Sequence, residues 1–179
     1  MSRMPPTEDK AAWCEHGAAM ERRFIEEVAP LAGIDVKLNP QKTEGDIYAH
    51  DLIVAGRRAD LKAVTTPFFK AWNQYGLRPE KAITFNHKDY LRYMAKYPDL
   101  WVIFWVDWPA DERYGISVAA RQGVWVANIQ TIDHLITRRR TGFHPYLNRA
   151  EDTTGNAKAS HVISIDDLFC RWEGNSKHE

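Results

Sequence analysis

The stretch His50-Asp51-Leu52-Ile53-Val54-Ala55-Gly56-Arg57-Arg58-Ala59-Asp60-Leu61-Lys62 carries two acids and a lysine at a spacing that a β-hairpin would bring together. Ala55-Gly56 suits a two-residue hairpin turn. With that turn Val54 pairs with Arg57, and counting outward sets Asp51 directly opposite Asp60, with Cβ atoms ~5 Å apart. Lys62 lies two residues further and therefore shares their face. Like charges facing each other weaken a hairpin. A divalent cation removes that repulsion, and hard carboxylate oxygens suit magnesium or manganese. The chemistry this set could perform is metal-assisted hydrolysis of a phosphodiester. The metal polarises the phosphate, and the lysine orients or helps deprotonate the attacking water.

The elements that would hold these residues are legible in the periodicity. Residues 11–31 fit a helix, with Trp13, Met20, Phe24, Val28 and Leu31 near helical spacing and Gly33 as a stop. Strands are expected over 34–38, 47–54 and 57–64, and residues 65–79 read as an aromatic loop. A strand over 82–85, a helix over 87–96 and an apolar strand over 101–108 follow. Residues 116–120 and 124–129 suggest a second hairpin about Gln122-Gly123, and 132–140 a helix. A polar loop over 151–159, a strand over 161–165 and a short helix over 166–172 complete the chain. The natural assembly is an α/β fold, a central mixed β-sheet flanked by helices. Residues 1–10 are expected to form a loose arm and 11–179 one domain, with its core over about 11–108 and a C-terminal elaboration over 109–179.

A helix, a short strand and a hairpin bearing Asp … Asp-x-Lys, followed by helix and strand, resemble the PD-(D/E)XK nuclease superfamily. That superfamily includes restriction enzymes, junction resolvases and phage nucleases. The resemblance covers about 11–106 and implies a restriction-endonuclease-like core of order α-β-β-β-α-β. It implies Asp51 as the hallmark acid and Asp60-Leu61-Lys62 as the acid-x-lysine, with Mg2+ or Mn2+ as cofactor. The family often adds a Glu from the first helix. Gly17-Ala18-Ala19-Met20-Glu21 resembles that element, so Glu21 becomes the fourth site residue, with Glu15 as the alternative. His50 stands where the name-giving proline would be, and Asp60 where Glu is more frequent. Asp46 competes with Asp51 as first metal ligand. In the hairpin register, however, it lies ~16 Å further along the strand on the opposite face, unless a bulge or a longer turn intervenes.

Composition bounds these readings. Net charge is zero, which excludes a generally basic nucleic-acid binder, but residues 57–96 hold nine cations against three acids. Arg57, Arg58 and Lys70 are the candidates for contact with a DNA backbone. The aromatic segment from Phe68 to Tyr75 could stack on bases or simply cover the core. The tryptophan-rich 101–108 run suits a strand buried on both faces. Arg138-Arg139-Arg140 is best read as cations closing a helix. Cys14 and Cys170 lack metal-ligand spacing and are expected to be reduced and to pack helices. The apolar runs are too short to span a bilayer, and the N-terminus lacks a secretory pattern, so a cytoplasmic protein is expected. Duplex cleavage on both strands would call for a homodimer. The rival readings are a non-catalytic DNA- or protein-binding module on the same fold, and an interaction protein using its aromatic surfaces.

Overall fold

The computed structural model describes residues 10–43, 49–145 and 159–174. The chain begins with helix α1 (Lys10–Arg23), extended by a π-helical turn over Phe24–Val28. Strand β1 (Val36–Leu38), the four-residue helix α2 (Pro40–Thr43), β2 (Leu52–Val54) and β3 (Arg57–Val64) follow. Next come α3 (Lys70–Tyr75), β4 (Ala82–Asn86), α4 (His87–Lys96) and β5 (Trp101–Trp108). The rest comprises β6 (Asp111–Arg113), β7 (Ile116–Val118), β8 (Arg121–Asn128), α5 (Ile129–Thr137), β9 (Gly142–His144), β10 (Ser160–Ser164) and β11 (Phe169–Glu173).

Six strands form a central sheet in the order β1-β2-β3-β5-β8-β11, with β3 and β5 parallel and the remaining neighbours antiparallel. The expected mixed sheet flanked by helices is therefore present. Its middle strand, β5, is covered on both sides. Val102, Phe104, Val106 and Trp108 meet residues of α4 and α5, while Ile103 and Trp105 meet Phe24 and Val28 beyond α1. Continuous apolar sequence is what such a doubly buried strand requires. Arg23 fastens the end of α1 to the sheet by an ion pair to Asp107, 3.1 Å, and by lying over the Trp105 ring.

The β2–β3 hairpin has the register expected from the sequence: Val54 pairs with Arg57, Ile53 with Arg58 and Leu52 with Ala59. Ala55 and Gly56 take φ values of 46° and 76°. Both central residues of a type I′ turn need this region, which glycine enters without strain.

Several sequence expectations are corrected. The second hairpin is formed by β6 and β7, turning at Tyr114-Gly115, and Gln122-Gly123 lies inside the long strand β8. Gly123 serves close approach there: a Cβ would sit 2.6 Å from the Trp125 ring and 2.9 Å from the Trp172 carbonyl oxygen. Residues 166–172 are not a helix. A 3-10 turn over Ile165–Asp167 leads into β11, which pairs with β8 and leaves Phe169 and Cys170 exposed, so Cys170 packs no helix. The backbone groups along β8 need partners, and β11 supplies them. Residues 82–85 and 161–165 pair in a separate three-stranded sheet, β4-β10-β9, outside the central one.

The supposed loop over 65–79 contains α3, closed by Gly76 in the left-handed region. Helix α5 starts three residues earlier than expected because the Asn128 side chain caps it, accepting from the Thr131 amide at 2.7 Å. Leu31, expected on the buried face of the first helix, is exposed beyond its end. Residues 49–51 precede β2 as a bend rather than strand, and the remainder of the expected 47–54 strand, with Asp46, lies outside the described residues. The side chains of Trp13 and Cys14 lie outside them too. Among the described residues no helix is long and apolar enough to cross a membrane.

Candidate active site

Asp51 stands one step beyond the last paired residue of β2, and the hairpin register continued by that step meets Asp60. The Asp51 carboxylate accepts a hydrogen bond from the Leu61 amide at 3.2 Å. Along β3, Asp60 and Lys62 lie beside Val102 and Phe104 of β5, on the sheet face covered by α4. Arg57, Ala59 and Leu61 alternate to the other face.

Asp60 is only 3% exposed. The Lys62 ammonium stands 2.7 Å from its Oδ2, yet that oxygen receives no well-aligned hydrogen bond. Lys62 also donates to Asp89 on α4 at 2.9 Å and lies 3.4 Å from the Tyr93 hydroxyl. Tyr93 in turn hydrogen-bonds Asp60, and Arg92 bridges to Asp89 at 3.0 Å and to the Tyr93 oxygen at 3.0 Å. Asp89, Arg92 and Tyr93 stand three or four residues apart on α4 and so share one of its faces.

Burial pushes the Asp60 carboxyl up to about 6; Lys62 pulls it down, and the charge of Asp51 pushes it up again. The two acids therefore feel each other, as the hairpin reading requires. Lys62 is raised too, although its burial works against it. Asp60, Tyr93 and Asp89 together hold it well above the ordinary lysine value, so it is a fixed cation at neutral pH. Burial raises Tyr93, with the charge of Asp60 adding to it, and the hydroxyl stays protonated.

Glu21 is buried near the end of α1, and Glu15 is exposed one and a half turns earlier. Glu21 reaches the site through a residue the sequence reading did not single out. The Lys42 ammonium lies 2.5 Å from Glu21 Oε1 and in direct contact with Asp51 Oδ1. Burial lowers the Lys42 pKa, but Asp51 and then Glu21 outweigh it, and the net shift is upward. Two acid–lysine–acid groups thus sit side by side: Glu21–Lys42–Asp51 and Asp60–Lys62–Asp89.

Lys42 is held there by its neighbourhood. Buried Asn39 donates from Nδ2 to the His50 carbonyl at 2.9 Å, and its amide donates to the Asp51 carbonyl at 3.0 Å. Its Oδ1 accepts from the Gln41 amide at 3.2 Å at the start of α2. His50 is buried against the edge of Tyr97, at 5.6 Å between centroids.

The candidate nucleic-acid contacts separate in space. Arg57 and Lys70 are exposed, whereas Arg58 is bound to Asp99 at 3.1 and 3.2 Å. Much of the basic stretch neutralises local acids: Lys81 pairs with Asp166, Arg78 with Glu80 and Arg92 with Asp89. Arg138 closes α5 at its C-cap, and Arg140 pairs with Asp167 at 2.5 Å. Of the aromatic segment, Phe69 and Ala71 are buried and Trp72 is exposed, so the segment both covers the core and presents one ring.

Sequence reasoning missed Lys42, Asp89, Arg92 and Tyr93. For the last three a signal existed, since the spacing 89, 92, 93 puts an acid, a cation and a hydroxyl on one helical face. For Lys42 there was none. Among the described residues no three His, Cys, Asp or Glu are placed to hold a metal by themselves. The donor chemistry nevertheless suits a hard cation. Glu21, Asp51 and Asp60 offer carboxylate oxygens, and Asp60 Oδ2 is buried beside the Lys62 ammonium.

No family model matches the sequence. No curated protein matches it. Among solved structures the chain is similar to D212, a nuclease from a fusselovirus, at 10% identity over 94% of this chain and 90% of that one, with a TM-score of 0.41. A superposition that loose leaves the activity to be argued from the site.

Proposed function

We propose that this chain is a metal-dependent nuclease that hydrolyses DNA phosphodiester bonds at a PD-(D/E)XK-type site. The observation that carries the reading is Asp60: a carboxylate 3% exposed, set beside a second acid, Asp51, and paired at 2.7 Å with Lys62. Burying such a group costs several kcal/mol that one ion pair offsets only in part, and a metal site gives that cost a purpose.

In this reading Asp51, Asp60 and Glu21 hold Mg2+ or Mn2+, which supplies Lewis-acid polarisation of the phosphate. Lys62 is charged, so it acts as a hydrogen-bond donor that orients water or a phosphate oxygen and does not take up the proton. Asp89 and Tyr93 fix its position. Arg57 and Lys70 offer charge to the DNA backbone, and a homodimer would let two such sites cut both strands of a duplex.

The test is cleavage of supercoiled, linear and single-stranded DNA by wild type and Lys62→Ala, with Mg2+, Mn2+ or EDTA. Metal-dependent cutting that falls roughly a thousandfold in the mutant is expected, in line with the loss of one preorganised donor. If folded wild type cuts none of these, the catalytic reading fails. A specific observation favours the second reading, a binding module on the same fold: Lys42 and Lys62 already neutralise both acid pairs without any metal. DNA retention without metal or turnover would be its mark.

A further inference from the structure

We infer that Lys42 is a placeholder cation: its ammonium occupies the divalent-metal position between Glu21 and Asp51 and leaves when the metal arrives. This inference rests on the metal-site reading above.

The geometry is specific. Lys42 touches one oxygen of each acid, Glu21 Oε1 and Asp51 Oδ1, from a helix of four residues. Asp51 uses its other oxygen to accept the Leu61 amide. The oxygen a metal would take from Asp51 is thus the one the ammonium now holds. Asp60, the other acid of the hairpin, is paired with Lys62 at 2.7 Å, and its charge acts on Asp51. In the proposed site a divalent ion would draw on Asp60 as well, whereas the Lys42 ammonium pairs with Glu21 and Asp51.

The ammonium has somewhere to go. The Lys42 side chain retains 29% exposure, whereas Glu21 and Asp51 beneath it keep 11% and 15%. Asn39 anchors the backbone at the start of α2 through its own side chain, so the methylenes of Lys42 can swing without unfolding the helix. Metal binding then carries the cost of breaking two ion pairs. Where the vacated form is a tenth of the population, apparent affinity falls about tenfold.

The experiment compares Mn2+ binding by wild type, Lys42→Met and Lys42→Gln, using calorimetric titration and thermal unfolding with and without Mn2+. Both variants are expected to bind Mn2+ about tenfold more tightly than wild type. Metal-free, they melt below wild type because Glu21 and Asp51 face each other unneutralised, and saturating Mn2+ closes that gap. The glutamine variant keeps a hydrogen-bonding side chain should the methionine variant not fold. Unchanged or weaker Mn2+ affinity in a folded variant overturns the inference, even if wild type cleaves DNA with metal. Tighter binding with no cleavage by any of the proteins keeps the inference and sinks the nuclease reading. Absence of Mn2+ binding in all three overturns both.

Discussion

Lys42 and Lys62 are each wedged between two acids, but the elements that carry them differ. Lys62 projects from the long strand β3 and is roofed by α4, where Asp89, Arg92 and Tyr93 hold it and its partner Asp60. Lys42 comes from a four-residue helix, anchored through Asn39, and bridges Asp51 to an acid on a distant helix. A charge fixed by a strand and a packed helix is preorganised, whereas one on a short exposed element can be displaced. In the proposed metal site, the same residue type would therefore serve as a permanent part in one half and as a removable one in the other.

The largest effect should fall on the Lys62 half. Asp60→Asn is expected to lower cleavage roughly a thousandfold, about 4 kcal/mol of transition-state stabilisation, measured as kcat/KM with saturating Mg2+. Asp89→Asn, which leaves Lys62 its contact with Asp60, should cost only about tenfold in the same assay. Equal losses would mean that the helix acid is as much a site residue as the strand acid, and not a support for Lys62.

The pH dependence sharpens the contrast further. Folding raises the Asp60 carboxyl from 3.8 to about 6, so between those values the native chain holds a proton that the unfolded chain releases. Metal-free stability should thus decline as pH rises through that window and level off above about 6. Metal competes with the same proton, so the Mn2+-induced rise in melting temperature should be small near pH 5 and grow through about 6. Tyr93 lowers Asp60 by its hydrogen bond; Tyr93→Phe should move the midpoint of that growth to higher pH, with a severalfold loss of cleavage below it. A midpoint that does not move would detach Tyr93 from Asp60.

The smallest effect concerns the anchor of the Lys42 half. Asn39→Ala removes a buried side chain that satisfies the His50 carbonyl and the Gln41 amide. A loss of about 1–3 kcal/mol in chemical denaturation is expected. Mn2+ affinity should rise slightly, because Lys42 is held less firmly; an unchanged stability would show that α2 needs no such tether.

What the sequence determined by itself was local. Ala55-Gly56 demands a tight turn, and the period of two along a strand then dictates that Asp51 faces Asp60 and that Lys62 shares their side. The apolar run over 101–108 reads as a strand covered on both faces, and the 87–96 segment as a helix. Tertiary structure decided everything that depended on chain segments meeting. It brought Lys42 between Glu21 and Asp51, at sequence separations of 21 and 9 residues, and α4 over Asp60 and Lys62. It also made Gly123 a point of close approach within β8 and turned residues 169–173 into the strand that covers it. No local pattern encodes these outcomes. A lysine on a short polar segment looks the same whether it faces solvent or fills a pocket of acids, and only the packing of α1 and the hairpin against one sheet creates that pocket.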